Sequence, residues 1–308
     1  MSAVARVSFD MRRGETVALV GETGCGKSTL ALALLGLLGS RGRIESGTIE
    51  FEGRPLAGLK EGEWRGIRGA AISLIFQDAR GALNPVLTVG RHIVETLRAH
   101  RRISIREAGR AAREILAEVG LPDPSNCSRR YPSELSGGMC QRVGIALAIC
   151  GRPRLLIADE PTSALDPGIQ AQILDLLDDL KRRQKLAVLL VSHDLAMVSG
   201  FADRVLVMYG GSLVESGRSE DVFGSPAHPY TRALLRCLPG DGSGPLAVIP
   251  GTPPVPGSRH PGCPFAPRCD SAVEACGGSF PAWRMLSDTH GAACSLAVQT
   301  PTDGSISN

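Results

Sequence analysis

Short apolar runs alternate with amphipathic stretches along most of this chain. Four short, mostly apolar runs have the length of buried strands: residues 15–20, 72–76, 155–159 and 186–192. Between them, residues 88–119 and 168–183 carry apolar side chains at helical spacing and predict amphipathic helices. Strands that alternate with helices in this way predict an α/β fold with a largely parallel sheet.

The remaining apolar pattern predicts an antiparallel β-hairpin and a group of helices inserted between the strands. Residues 203–209 and 212–216 flank a Gly-Gly pair and predict a β-hairpin. Residues at roughly 80–150 read as helices inserted between strands. The remaining predicted elements are a strand at 47–51, a helix from Gly137 to about Cys150, and a short helix at 228–238.

The composition changes near residue 236. Residues 239–262 are rich in Pro and Gly, which is typical of a linker or an irregular arm. A segment with four cysteines follows, and the last residues are predicted to be a disordered tail. We therefore predict a main α/β domain over residues 1–236, and a linker with a small, irregular, Cys-rich domain over residues 237–308.

Composition and charge argue against several classes of protein. The 308 residues are 43% hydrophobic and 21% charged, and the net charge of +3 is too small to indicate nucleic-acid binding. No apolar run approaches the roughly 18 residues that suggest a membrane span. Residues 1–15 lack the apolar core of a secretory signal. Without export, the nine cysteines are expected to be mostly reduced.

The motif GETGCGKS occupies residues 21–28, between a predicted strand and a predicted helix. It matches G-x-x-x-x-G-K-[ST], in which the glycines let backbone amides turn inward around phosphate groups. Lys27 supplies positive charge, the Ser28 hydroxyl can ligate Mg²⁺, and the helix start adds its positive dipole end. The motif and its context predict binding of a nucleoside triphosphate rather than a chance glycine-rich turn.

Cys25 lies inside this phosphate loop, beside Lys27 and a helix N-terminus. Such surroundings lower the pKa of a thiol, which would make Cys25 reactive and the loop sensitive to alkylation. The alternative is that position 25 only requires a small side chain, and this simpler interpretation is favoured.

Polar side chains end two of the predicted strands. The run LLIAD ends in Asp159 and is followed by Glu160, so the first acid could orient Mg²⁺ and the second could act as a general base on water. Two adjacent acids could instead face solvent, but the phosphate loop upstream argues against that. His193 follows the run LAVLLVS, where a contact with the terminal phosphate is favoured over a merely satisfied polar side chain.

The motif LSGGMCQR at residues 135–142 predicts a second anion site. Ser136, Gly137 and Gly138 open a predicted helix, so a hydroxyl, backbone amides and a helix dipole converge there. Two phosphate sites on distant surfaces of one chain cannot serve the same nucleotide. A head-to-tail pair of subunits, each completing the other's site, resolves that difficulty.

Together these motifs resemble the ATP-binding subunits of ABC transporters. The order of the phosphate loop, Gln77, LSGGM, LLIADEP, SALD and SHD is similar to that family over residues 3–236. The resemblance implies a P-loop NTPase fold, with a RecA-like core, an antiparallel β part and a helical ABC subdomain at about 80–150. It also implies that ATP and Mg²⁺ bind and that ATP is hydrolysed.

The resemblance assigns roles to residues of this chain. Glu160 would activate water, His193 would stabilise the transition state, and Gln77 would contact Mg²⁺ and water and report to the membrane subunit. Ser28 and Asp159 would complete the Mg²⁺ site, and Asp166 would also communicate across a dimer. The residues implied to bind ATP are Gly21, Glu22, Thr23, Gly24, Cys25, Gly26, Lys27, Ser28, Thr29, Ser136, Gly137, Gly138 and Asp166.

Other segments are similar to the dipeptide and oligopeptide importers within that family, and most of all to their D-type ATPase. They are FQDARGALNPVLTVG, IQAQILDLL, HPYTRALL and GCPFAPRC. The similarity implies peptide import, with nickel or another small solute as an alternative and a non-transport ABC ATPase as a less favoured one. Implied partners are a homologous F-type ATPase in a head-to-tail heterodimer, two transmembrane permeases and, indirectly, an extracytoplasmic solute-binding protein. The implied location is peripheral, on the cytoplasmic face of the inner membrane.

This chain departs from the family pattern near its N-terminus, where the resemblance begins. The family's adenine-stacking aromatic residue lies further upstream, and the first aromatic residue here, Phe9, matches the strand that follows it. We therefore expect the family's first strand to be missing. Either the start codon is assigned too late, or the chain is truncated, or adenine is held in another way. Base stacking contributes about 1–3 kcal/mol, so nucleotide affinity is expected to be weak.

The four C-terminal cysteines have the spacing C-x5-C-x6-C-x17-C, at Cys263, Cys269, Cys276 and Cys294. This spacing matches neither a ferredoxin nor a zinc-finger pattern. From the residues alone, four thiolates could hold Zn²⁺ or a [4Fe–4S] cluster, or remain without metal. Resemblance to D-type peptide importer subunits implies the [4Fe–4S] cluster, as a structural staple for a small, core-poor domain.

Overall fold

The computed structural model describes residues 2–40, 42–238, 248–255, 257–258 and 260–297. The described chain divides into two compact units. The first unit consists of the described residues within Met1–Asp10, Val17–Leu30 and Ser192–Asn308. The second unit consists of the described residues within Met11–Thr16 and Ala31–Val191. The predicted disordered tail and the first part of the predicted linker fall on residues 298–308 and 239–247, which lie outside the described residues.

Strands and helices alternate along most of the described chain, as the apolar pattern predicts. The strands are β1 Thr16–Val20, β2 Glu50–Phe51, β3 Arg54–Pro55, β4 Ile72–Ile75, β5 Leu155–Asp159, β6 Ala187–Ser192, β7 Arg204–Tyr209, β8 Ser212–Arg218, β9 Arg284–Met285 and β10 Gly291–Ala292. The helices are α1 Lys27–Leu34, α2 Glu61–Arg65, α3 Ala79–Ala82, α4 Val89–His100, α5 Ile105–Glu118, α6 Pro124–Cys127, α7 Gly137–Ile149, α8 Pro167–Gln184, α9 Leu195–Ser199, α10 Ser219–Gly224, α11 Pro229–Arg236 and α12 Ala275–Gly278.

In the first unit, β1 pairs with β7 in parallel and β7 pairs with β8 in antiparallel orientation. The predicted hairpin is confirmed: Gly210 and Gly211 form its turn, and both have a positive φ. Strand β10 continues the sheet antiparallel to β8, and β9 pairs with β10. The cysteine-bearing segment therefore contributes two short strands to the sheet of this unit.

A buried carboxylate ties the C-terminal segment to this sheet. Glu215 on β8 is fully buried and accepts hydrogen bonds from the backbone N–H groups of Ala227 (2.7 Å) and His228 (2.8 Å). Its other contact is the ring of His290, 2.7 Å away, just before β10. Burial lowers the pKa of His228 to about 4, so this neighbouring imidazole is neutral near pH 7.

In the second unit, β4, β5 and β6 form a parallel set in that order. Strand β5 lies in the middle, and its central residues Leu156, Ile157 and Ala158 have no exposed surface. An apolar run buried on both faces is the expected composition of a central parallel strand. The helical insertion predicted at about 80–150 consists of α3 to α7 in this unit.

Two predicted elements differ in detail from the structure. The helical stretch predicted over 88–119 is two helices, α4 and α5, and Ser104 caps the second one in a capping box with Glu107. The strand predicted over 47–51 is confined to Glu50–Phe51, which pairs with Arg54–Pro55 in a small separate sheet. None of the described helices is long and apolar enough to span a bilayer.

Candidate functional site

The phosphate loop at residues 21–28 joins β1 to α1, as the sequence predicts. Gly21, Gly24 and Gly26 all have a positive φ, at 152°, 82° and 105°. A Cβ atom at Gly21 would lie 2.1 Å from the backbone oxygen of Met208, so this position accepts only glycine. The loop is thereby held against the end of β7, and the N-terminal end of α1 opens from it.

Lys27 is the first residue of α1, and it is only 5% exposed. Its Nζ donates hydrogen bonds to the backbone oxygens of Gly21 (2.7 Å) and Glu22 (3.1 Å), which lie in the loop itself. A buried ammonium group at a helix N-terminus attracts an anion, because its positive charge and the positive end of the helix dipole both favour a negatively charged ligand. These features fit a bound polyphosphate, whose oxygens would take over the carbonyl contacts of Lys27.

The expectation of a lowered thiol pKa at Cys25 is wrong. Cys25 is 6% exposed, and burial raises the pKa of its thiol by more than the nearby charge of Lys27 lowers it. The thiol is therefore protonated near neutral pH, and the simpler interpretation of position 25 as a small packed side chain is favoured.

Glu22 is held by groups that the motif did not indicate. Its backbone N–H donates to the hydroxyl of Tyr230 on α11 at 2.8 Å. Its carboxylate makes an ion pair with Arg268, with Nη1–Oε2 and Nη2–Oε1 distances of 2.7 Å and 3.0 Å. Tyr230 and Arg268 lie 208 and 246 residues further along the chain, inside HPYTRALL and GCPFAPRC. In the sequence, the only indication of the ion pair is that GCPFAPRC contains a basic residue.

In the second unit, the structure brings Gln77 and Glu160 together. Gln77 follows β4 and Glu160 follows β5, and Nε2 of Gln77 donates to Oε2 of Glu160 at 2.9 Å. Asp159 is the last residue of β5, half-buried, directly before Glu160. Parallel neighbouring strands carry their last residues to the same edge, which is why two polar groups 83 residues apart meet there.

Glu160 has a left-handed backbone conformation, with φ at 46°. Its N–H donates to the backbone oxygen of Val191 at 2.9 Å, which fixes the residue at the end of the sheet. A non-glycine residue in this region costs roughly 1 kcal/mol or more, and such residues concentrate at functional sites. The unusual backbone directs this carboxylate toward Gln77.

Gly137 and Gly138 are the first two residues of α7, and Ser136 is its N-cap. The Ser136 Oγ accepts from the N–H of Met139 at 3.3 Å, and Ser136 and Gly137 are both exposed. A Cβ at Gly138 would lie 2.9 Å from Ile169 Cγ2 on α8, so the motif packs closely against that helix. Asp166 caps α8 through a hydrogen bond from the N–H of Ile169 at 3.0 Å.

The remaining predicted site residues belong to the first unit. Thr23 and Ser28 are exposed, and Thr29 is half-buried in the first turn of α1. His193 directly follows β6 and is exposed, and the next residue, Asp194, caps α9 by accepting from the N–H of Met197 at 3.1 Å. His193 is therefore placed between a strand end and a helix start.

The four C-terminal cysteines lie close to one another in the first unit. The N–H of Cys263 donates to the backbone oxygen of Cys276 at 2.8 Å. Burial raises the pKa of the Cys263 thiol, and the neighbouring Cys276 and Cys294 raise it further. Burial likewise raises the pKa of Cys269, with a contribution from Cys294 and Cys276. All nine cysteines are free thiols.

The predicted four-cysteine metal site is not supported by this arrangement. Across the described residues, which include all four thiols, no three or more His, Cys, Asp or Glu side chains form a group that could hold a metal ion. The side chains as they lie thus do not fit a tetrahedral zinc or a cluster.

Family models match successive parts of this chain. A family model described as ABC transporter matches residues 4–163, and one described as oligopeptide/dipeptide transporter, C-terminal region, matches residues 214–276. A third, described as AAA domain, putative AbiEii toxin, Type IV TA system, matches residues 128–199, which exclude the phosphate loop.

Characterised relatives match over nearly the whole chain. The dipeptide transport ATP-binding protein DppD of Bacillus subtilis is 46% identical over 302 residues, which cover 97% of this chain and 90% of the relative. The DppD protein of Escherichia coli is 44% identical, with 95% and 90% covered. The oligopeptide transport ATP-binding protein OppD of Escherichia coli is 46% identical, with 91% and 84% covered.

Solved structures share the fold at lower identity. The ATP-binding cassette MJ0796, in a dimeric state bound to ADP and phosphate, aligns with a TM-score of 0.61 and 28% identity, covering 70% of this chain and 90% of that one. The cbiO1 protein of Clostridium perfringens, part of the transporter complex cbiONQ, aligns with a TM-score of 0.63 and 27% identity, covering 72% and 84%.

Proposed function

This chain is an ATP-binding and ATP-hydrolysing member of the ABC transporter family, and we propose that it powers the import of dipeptides or oligopeptides across a cell membrane. The observation that carries the proposal is the match of residues 214–276 to the C-terminal region of oligopeptide/dipeptide transporters. Relatives named as dipeptide or oligopeptide transport ATP-binding proteins, 44–46% identical to this chain, agree with it.

In the proposed reaction, the phosphate loop binds the β- and γ-phosphates of ATP, and Lys27 neutralises their charge. Ser28, Gln77 and Asp159 would hold Mg²⁺, which when bound draws charge from the phosphate oxygens. Glu160 accepts the proton of the attacking water as general base, and its hydrogen bond with Gln77 orients the carboxylate. His193 stabilises charge on the terminal phosphate.

The proposed working assembly pairs two ATPase subunits head to tail. Ser136 and Gly137 are exposed at the start of α7, where the phosphate of a partner's nucleotide can reach the helix N-terminus. We propose a homologous F-type ATPase as that partner, and two transmembrane permeases that hold both subunits at the cytoplasmic face of the inner membrane. An extracytoplasmic solute-binding protein would deliver the solute.

Affinity purification of the tagged chain from detergent-solubilised membranes tests this assembly. We expect two polytopic membrane proteins and a second ABC ATPase to copurify with it in comparable amounts. A matched purification of the Glu220→Gln variant, which changes an exposed side chain of α10, serves as a control that should retain the partners. Recovery of the chain with nucleic acid, or with no membrane protein, would reject the transporter assignment.

The [4Fe–4S] cluster at Cys263, Cys269, Cys276 and Cys294 stays a prediction from the family resemblance. The described side chains do not form a ligand group, so this prediction rests on the resemblance alone. Anaerobically purified protein is expected to contain about four iron and four sulfide ions per chain and to absorb broadly near about 400 nm. Cys276→Ser should lose both, and Cys237→Ser should keep them. Zinc in place of iron would support the alternative, and protein without metal would overturn both.

A further inference from the structure

Arg268 belongs to the turn GCPFAPRC, residues 262–269, and its side chain is only 5% exposed. A guanidinium group has five N–H donors, and here all five have acceptors. Besides the two bonds to Glu22, the acceptors are the Tyr209 hydroxyl (3.0 Å from Nη1), the Pro250 oxygen (2.8 Å from Nε) and the Ile249 oxygen (3.2 Å from Nη2). A fully satisfied, bidentate arginine is a rigid fixing point rather than a surface ion pair.

The turn that carries Arg268 is itself held firmly. Phe265 is 2% exposed and packs against the rings of Tyr209 and Tyr230, with centroids 5.3 Å away in both cases. The hydroxyls of the same two tyrosines also form hydrogen bonds with the two residues of the ion pair. The Tyr209 hydroxyl accepts from Arg268, and the Tyr230 hydroxyl accepts from the backbone N–H of Glu22. Aromatic packing and hydrogen bonding thus fix both partners of the ion pair.

The chain before this turn borders the same cavity as the phosphate loop. Pro253 and Pro254 line a cavity of only about 20 Å³ together with Thr23 and Gly24. The two segments therefore face each other across this cavity.

Glu22 is the second residue of the phosphate loop, and its carboxylate carries the same sign of charge as the phosphates that the loop binds. Charges a few ångströms apart at a protein surface interact by kilocalories per mole, so an unpaired carboxylate in this position would oppose binding of ATP. The ion pair with Arg268 neutralises that charge and fixes the direction in which the carboxylate points.

We propose that Arg268 is a positioning residue for the nucleotide site: it neutralises and holds Glu22, so that the C-terminal segment sets the affinity of the phosphate loop for ATP. The proposal rests on the ATPase function given above, and it adds a role for residues outside the nucleotide-binding motifs. The C-terminal segment then acts on the ATPase cycle as well as on the stability of its own fold.

The test is a double-mutant cycle on the full chain in its assembled transporter, with the KM and kcat for MgATP and the Kd of a fluorescent ATP analogue as readouts. Arg268→Gln should raise KM and Kd about tenfold, because Glu22 is left unpaired, and should change kcat less than about twofold. Adding Glu22→Gln should bring both constants back to within about threefold of the wild type. Glu22→Gln alone should lower them about two- to threefold, since it removes the negative charge from the loop while Arg268 keeps its bonds to Tyr209, Pro250 and Ile249.

Two further variants keep the test decisive. Arg268→Lys retains the charge and loses the bidentate contact, so it should raise KM by about threefold, and it serves alone if Arg268→Gln does not fold. Arg236→Gln, an exposed arginine 3.9 Å from Asp270 in the same unit, is the matched control and should leave KM unchanged.

A purely structural role for Arg268 predicts a different pattern. The thermal midpoint and the active fraction would fall, KM would not change, and Glu22→Gln would rescue nothing; that result would overturn the proposal. If Lys27→Met in the same assay also leaves nucleotide binding unchanged, the ATPase assignment itself has failed, and the role of Arg268 fails with it.

Discussion

Replacing Glu160 with glutamine is expected to lower the rate of ATP hydrolysis by about 10²-fold or more while ATP still binds. Glutamine has nearly the same shape, and its side-chain oxygen can still accept the hydrogen bond that Gln77 donates over 2.9 Å. It cannot take up the proton of the attacking water, so only the chemical step is affected. Phosphate release by the assembled transporter, together with equilibrium binding of an ATP analogue, measures the two effects separately.

The control for this experiment is Glu220→Gln. Glu220 is an exposed acid of α10 that lies 3.4 Å from Arg218, and removing its charge should leave hydrolysis within about twofold of the wild type. Near-normal turnover in Glu160→Gln would contradict the assignment of this residue as general base. Loss of ATP binding in the same variant would point instead to a defect in the local backbone, where Glu160 has a positive φ.

Replacing Lys27 with methionine is expected to weaken ATP binding by about 10²-fold or more. Methionine fills a similar volume at this buried position but removes the ammonium group, and each charge-assisted hydrogen bond is worth about 1.5–3 kcal/mol. Titration with a fluorescent ATP analogue measures the loss, and circular dichroism checks that the fold is retained. Lys60→Met, at an exposed lysine before α2, should bind ATP normally. Unchanged affinity in Lys27→Met would exclude the phosphate loop as the nucleotide site.

The parts of the site that could be predicted from the sequence are those in which chemistry and local structure coincide. The phosphate loop, the two acids at the end of β5 and Ser136 before α7 all lie where a strand or loop meets another element, and the structure has these junctions where predicted. In each case the residue types specify a local backbone form, such as the positive φ of Gly24 and Gly26.

The features of the site that could not be predicted depend on contacts between residues distant in sequence, or on effects that change the same pKa in opposite directions. The ion pair of Glu22 with Arg268 joins residues 246 positions apart, and no periodic pattern relates them. At Cys25 the sequence showed the neighbouring lysine but not the depth of burial, and burial determines the direction of the pKa change. The break between α4 and α5 was missed because residues 88–119 form one continuous amphipathic pattern, although Ser104 and Glu107 have the spacing of a capping box.

If this chain uses ATP to drive the import of peptides, transport must depend on both ATP and peptide. The most direct measurement is uptake of a labelled dipeptide into proteoliposomes that contain the chain with its copurifying permeases and second ATPase, in the presence of the solute-binding protein. We predict uptake that requires ATP, saturates with the peptide and falls to the background level in Glu160→Gln. Uptake that is indifferent to ATP, or ATP-driven accumulation of nickel or another small solute with no peptide transported, would contradict the claim.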